Sequence, residues 1–178
     1  EAISAVSLVD SINNLVIQVF AAMASGATII CSQYIGSGNK KESNRAAGQV
    51  ILTVFVISLS IAVFCISGGK SLLRLIFGTV DDSVMEKSFV YFMITVISYP
   101  FLALFSAGAA FYRASGNSKL PTKVSIVSNV INVIGNAVFI YGFKWGVAGA
   151  AFATLLSRVF CTIVIFYCLR KPGLTIVV

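Results

Sequence analysis

The sequence predicts an all-α, polytopic transmembrane helix bundle of about five spanning helices. Three observations carry this. Hydrophobic residues make up 58 % of the 178-residue chain and charged residues 11 %, whereas a soluble domain has about 25 % charged residues. The charges are clustered, and the clusters separate long apolar runs. Each run holds about 20 residues, enough to cross a ~30 Å hydrocarbon core at ~1.5 Å per residue. Apolar and polar residues do not alternate with period two, so a transmembrane barrel is not expected. Helices meet their own backbone hydrogen-bonding needs in lipid.

The first helix covers about 2–35 and stops before Lys40, Lys41, Glu42 and Arg45. The second covers about 44–68. Residues 70–78 (Lys-Ser-Leu-Leu-Arg-Leu-Ile-Phe-Gly) read as a short amphipathic helix on the outer membrane surface, with Lys70 and Arg74 snorkelling. The third helix covers about 86–113 and is interrupted by Tyr99-Pro100. Pro100 removes one backbone hydrogen bond and should kink the helix, as a moving joint or as a static bend. The fourth covers about 120–141, with Pro121 in its first turn, where the missing N–H does little harm. The fifth covers about 147–169. It opens on small residues, and Gly146, Ala150 and Thr154 form a face that permits close helix contact. Tyr91, Tyr141, Phe143 and Trp145 lie near helix ends, as an aromatic belt would. The whole chain, 1–178, reads as one bundle.

Two loops echo each other: Gly36-Ser37-Gly38-Asn39-Lys40 and Ala114-Ser115-Gly116-Asn117-Ser118-Lys119. Gly and Asn tolerate positive φ, so both read as helix stops followed by basic residues. The spacing of the first excludes a phosphate-binding P-loop. Short loops rich in Lys and Arg face the cytoplasm. Segments 36–45, 113–123 and the C-terminus fall on one side with eight basic residues, against four on the other. Those segments are therefore expected in the cytoplasm and Glu1 outside. With an odd number of spans, that places at least one helix before Glu1, so the chain reads as a fragment.

Several functions are excluded. The chain has no His, hence no Ser-His-Asp triad, no His-ligated metal and no imidazole relay. The formal charge of +7 does not imply nucleic acid, because so few charges cannot build a phosphate-binding face. Cys31, Cys65, Cys161 and Cys168 sit in or beside apolar runs without C-x-x-C spacing and read as inert thiols. No enzyme activity, metal or other cofactor is expected, since no acid pair, nucleophile set or metal set is present.

Function is expected where polar side chains lie inside the membrane. Asp10, Asn14 and Gln18 recur every four residues and share a face, with Asn13 beside them. They either line a cavity or bond between helices near the outer interface. Asn129, Asn132 and Asn136 lie on the fourth helix, and Asn132 and Asn136 share a face that reads as cavity lining. Arg158 follows Thr154 by one turn, near the midplane. It needs a partner or a wet cavity. Asp10 reads as too far toward the outside, so that partner is expected beyond this sequence.

Together these residues resemble the MATE (multidrug and toxic compound extrusion) family of cation-coupled transporters. The matching stretches are Ala22-Ala24-Ser25-Gly26-Ala27-Thr28 through Ser32-Gln33-Tyr34-Ile35-Gly36, then Tyr112-Arg113-Ala114-Ser115-Gly116-Asn117-Ser118-Lys119-Leu120-Pro121, then Asn129, Asn132 and Asn136 followed by Gly146 to Thr154. The resemblance implies helices two to six of a twelve-helix transporter, within its amino-terminal lobe. It implies a multi-pass plasma-membrane antiporter that exports amphipathic or cationic drugs by alternating access, driven by Na⁺ or H⁺. Its partners would be small-molecule drugs or metabolites, the lipid bilayer and the rest of the same transporter chain, with no nucleic acid. Asn132, Asn136 and Thr154 match the family's cation site, as candidate Na⁺ ligands. Asn136 stands where that site is acidic in many members, and an amide can ligate but not titrate. Asp10, Asn14, Gln18 and Arg158 complete the expected cavity. A lipid-linked oligosaccharide flippase of related architecture is the alternative, supported by Arg158.

Overall fold

The computed structural model describes residues 2–78 and 81–170. Among them every regular element is helical: α1 (Ala2–Gly36), α2 (Lys40–Phe77), α3 (Asp82–Ile97), α4 (Tyr99–Ala114), α5 (Lys119–Ala137), a π-helical turn (Val138–Gly142) and α6 (Gly146–Leu169). Four helices are long and apolar enough to span a membrane, and α3 with α4 makes a fifth span bent by 42°. Leu52, Phe64, Val133 and Ile163 stay exposed on the outside, which suits a molecule with lipid as its solvent. The part of the C-terminal tail beyond Arg170 lies outside the described residues.

The two echoing loops are built alike. Gly38 takes a φ of +73° and Gly116 one of +78°, ending α1 and α4. An Asn follows each. The Asn39 side chain accepts from Glu42 N at 3.3 Å, and that of Asn117 accepts from Leu120 N at 3.4 Å. A left-handed glycine closes one helix and the next residue caps the following one.

Two elements differ from the sequence reading. Residues 70–77 do not form a separate surface helix; they continue α2 without a break. The Gly68-Gly69 pair does not interrupt it, because Gly69 is where α3 presses in. A Cβ on Gly69 would meet Met93 Cε at 2.3 Å and Phe89 Cε2 at 3.0 Å. Lys70 Nζ lies 5.3 Å from the Phe89 ring centroid, and Leu73 is fully buried. On one side this turn packs against α3. The third span does break near Pro100, but at Ser98. Pro100 falls in the first turn of α4, where its missing N–H is harmless. Ser98 fills the gap by donating its hydroxyl to Thr95 O at 2.6 Å.

In the packing, α1 lies against α2, α3 and α4, and α6 lies against α3, α4 and α5. The main core joins Val9, Phe20, Leu73, Phe92, Val96 and Tyr99. A second core, with Cys31, Phe111, Tyr112, Ile165 and Leu169, forms toward the opposite ends of the helices. Helix α5 hangs mainly on α6, through two close crossings. A Cβ on Gly135 would sit 3.0 Å from Ala153 Cβ, and one on Gly149 would sit 2.9 Å from Phe139 Cβ and 3.1 Å from the Phe139 carbonyl. The tight contact is thus made by Gly149 and Ala153. The Gly146–Ala150–Thr154 face turns toward open space instead.

Gly149→Ala should lower stability by about 1–3 kcal/mol, since rigid backbone stands in the way. Gly26→Ala, with nothing within 4 Å, should be neutral or gain up to ~1 kcal/mol from helix propensity. Thermal unfolding of the two variants in detergent checks the contrast.

Candidate functional site

A cavity of about 570 Å³ opens between α1, α3, α4, α5 and α6. Six of the seven residues expected at a site line it: Asp10, Asn14, Asn132, Asn136, Thr154 and Arg158. Gln18 does not; it is exposed, two turns beyond Asp10. The apolar part of the wall comes from Val6, Ile17, Leu102 and Phe105.

One side of the wall is an amide–hydroxyl chain between α5 and α6. Asn136 Nδ2 donates to Asn132 Oδ1 at 3.2 Å. Asn132 Nδ2 donates to Thr154 Oγ1 at 3.2 Å and, more weakly, to Ser157 Oγ at 3.5 Å. Thr154 donates to Ala150 O at 3.1 Å, and Ser128 donates to Ser157 O at 3.1 Å. The close crossings at Gly135 and Gly149 bring these short side chains within reach of one another. The chain ends on a loose group: Asn136 Oδ1 is buried and has no donor. An unpaired buried acceptor costs ~1–3 kcal/mol. A hard cation with oxygen ligands would relieve it, and the neighbouring oxygens of Asn132, Thr154 and Ser157 are of the right kind.

The other side is built on α1, α3 and α4. Asp10 Oδ1 accepts from Tyr91 OH at 3.2 Å and from Asn13 Nδ2 at 3.3 Å. Asn13 Oδ1 accepts from Tyr99 OH at 2.8 Å. Arg158, from α6, donates to Ser98 Oγ at the α3–α4 joint. Two sequence expectations change here. Tyr91 is not part of an aromatic belt; it is buried and holds Asp10. Tyr141, Phe143 and Trp145 remain exposed. Asp10 also shares the cavity with Arg158, where the sequence reading kept the two apart. Asn13, Tyr91, Tyr99, Ser98 and Ser157 were not anticipated as site residues. The signal for two of them was available: Tyr91 and Ser98 recur with Thr95 at helical spacing, as a polar stripe on an apolar segment.

A bundle of membrane-spanning helices around a cavity lined with polar side chains defines the class: a multi-pass helical membrane protein. More narrowly, the chain belongs to the MatE family, whose model matches residues 1–138. It is 31 % identical over 173 residues to the uncharacterized transporter YisQ of Bacillus subtilis, covering 95 % of this chain and 38 % of that protein. It is 31 % identical over 175 residues to the probable multidrug resistance protein YoeA of the same organism, covering 96 % of this chain and 37 % of that one. The fold matches the inward-facing conformation of a multidrug resistance MATE family transporter of the MOP superfamily with a TM-score of 0.92, at 22 % identity, over 98 % of this chain and 40 % of that one. The chain thus spans about two-fifths of the length of the proteins it matches.

Tyr99→Phe should leave the buried Asn13 carbonyl without its donor and lower stability by about 1–3 kcal/mol. Ser60→Ala removes only a hydroxyl bonded within its own helix to Val56 O, and should change stability by less than ~0.5 kcal/mol. Denaturation midpoints of the two variants in one detergent test the pair.

Proposed function

We propose that this chain is most of the amino-terminal lobe of a cation-coupled multidrug efflux antiporter of the plasma membrane. The transporter exports amphipathic or cationic compounds by alternating access. The observation that carries the reading is the Asn136–Asn132–Thr154 chain on the cavity wall, ending in a buried carbonyl with no donor. A cation bound there gains most in whichever state keeps these oxygens together. That difference in affinity shifts the population between inward- and outward-facing states. Amides supply oxygen but no proton. Na⁺ would therefore sit at the amide–hydroxyl chain, whereas proton coupling would need a carboxylate. Two lobes rocking about a mid-membrane site is how such folds alternate access. The drug would meet the apolar wall of Val6, Ile17, Leu102 and Phe105.

A lipid-linked oligosaccharide flippase is the second reading, favoured by the cationic Arg158 in the cavity. Dye efflux by the full-length transporter in vesicles separates the two. Efflux that stops when the Na⁺ or H⁺ gradient is collapsed supports antiport; lipid flipping that ignores both gradients replaces it.

In the full-length protein, Asn136→Ala should weaken cation coupling by roughly 10–100-fold, as losing a ligand to a charged partner does. Ser60→Ala should leave efflux unchanged, and equal activity of the two variants would discard the site. Segments 36–45 and 113–123 are placed in the cytoplasm, so a membrane-impermeant amine reagent should reach Lys40 and Lys119 only in inverted vesicles. Labelling in intact cells would reverse the orientation.

A further inference from the structure

We infer that Arg158 is an oxyanion-recognising pole of the cavity, so that the transported class includes amphipathic solutes bearing a carboxylate or phosphate. This rests on the transport reading above and narrows its substrates. A guanidinium carries five N–H donors in a planar fork. Among the described residues Arg158 has one hydrogen-bond partner, Ser98 Oγ, and it lines the cavity. Most of its donors are therefore left for whatever fills that space.

Asp10 does not take them. Its carboxylate is held by Tyr91 and Asn13, and neither a hydrogen bond nor an ion pair joins it to Arg158 among the described residues. The two charges are held apart on one wall. The rest of the polar lining is amide and hydroxyl and brings no second anion.

A cation at mid-membrane depth with idle donors is costly unless something pairs with it. A carboxylate or phosphate matches the fork in a bidentate, charge-assisted way that water or a carbonyl does not. A purely cationic solute would be repelled from this end and confined to the Asp10 and amide side. At about 570 Å³ the cavity is the size of a small-molecule site, and its Leu102 and Phe105 surface would hold a ring system beside the anion. The oxyanion could belong to a free solute or to a lipid headgroup; we commit to the solute, and the test separates them.

The experiment uses two dyes with one xanthene ring, the anionic carboxyfluorescein and the cationic ester rhodamine 123, with the purified full-length transporter. Binding is read by fluorescence polarisation. Arg158→Gln should weaken carboxyfluorescein binding roughly 10–100-fold, Arg158→Lys distinctly less, and rhodamine 123 should stay within about threefold in both. Benzoate and phenylphosphonate should displace carboxyfluorescein from the wild type, and tetramethylammonium should not, a measurement that needs no variant to fold. Failure of the wild type to bind carboxyfluorescein, failure of the anions to displace it, or equal loss of both dyes in Arg158→Gln would overturn the assignment. In vesicles, carboxyfluorescein efflux without movement of headgroup-labelled phosphatidylglycerol supports a solute, and lipid movement without dye efflux overturns that choice. Intact anion binding with no gradient-driven flux of either dye would sink the transport reading and leave the Arg158 assignment standing.

Discussion

A polar side chain in hydrocarbon must find a partner in its own helix, a partner in another helix, or a wet cavity. That constraint sorts the polar residues of this chain. Most hydroxyls solve it locally: Thr28 donates to Ala24 O, Ser32 to Thr28 O and Ser60 to Val56 O, all one turn back. Such residues need no neighbour and can face lipid. An amide has too many donors and acceptors for that solution, and a carboxylate or guanidinium has more still. Asp10, Asn13, Asn132, Asn136 and Arg158 are such groups and line one cavity, whereas the Gln18 amide stays exposed outside it. The cavity wall is thus the place where local satisfaction fails.

Backbone proximity makes the gathering possible. Asn, Thr and Ser are short, so Asn132 reaches Thr154 at 3.2 Å only because α5 and α6 nearly touch. Gly135 against Ala153 and Gly149 against Phe139 set that distance. The π-helical turn at Val138–Gly142 sits at the same crossing, and Phe139 within it stacks on Trp145 with centroids 5.6 Å apart. On the other side Tyr91 and Tyr99 do the joining. Their long rigid rings reach from the α3–α4 span to Asp10 and Asn13 of α1. Small residues close one wall and large phenols span the other.

This division explains what could be read from the sequence. Spans follow from hydropathy and charge clusters, and helix stops from Gly38-Asn39 and Gly116-Asn117, because these signals are local. The α5–α6 part of the site was legible too, since Asn132 and Asn136 are one turn apart on an apolar helix. The α1–α3 part was not. Tyr91 meets Asp10 across 81 residues and Tyr99 meets Asn13 across 86, and no periodicity encodes such pairings. A Tyr near a helix end looks the same whether it anchors at the interface or turns inward. The end expected for the second helix near residue 68 failed for a related reason: α2 runs on where Gly69 lies against Met93 and Phe89 of α3. Gln18 shares a face with Asp10 on paper, yet two turns further along α1 that face has left the cavity.

The joint in the third span joins the two walls. Pro100 needs a break above it, and Ser98 supplies one that stays satisfied, its hydroxyl donating to Thr95 O at 2.6 Å. The same oxygen accepts from Arg158 of α6. A hydroxyl has one proton to give and lone pairs to offer, so this one atom ties the bend of α3–α4 to the position of the guanidinium. The angle of the joint and the charge in the cavity are therefore not independent. A bend held only by proline would be indifferent to the cavity's contents; a bend whose hydroxyl is shared with a cavity cation is not.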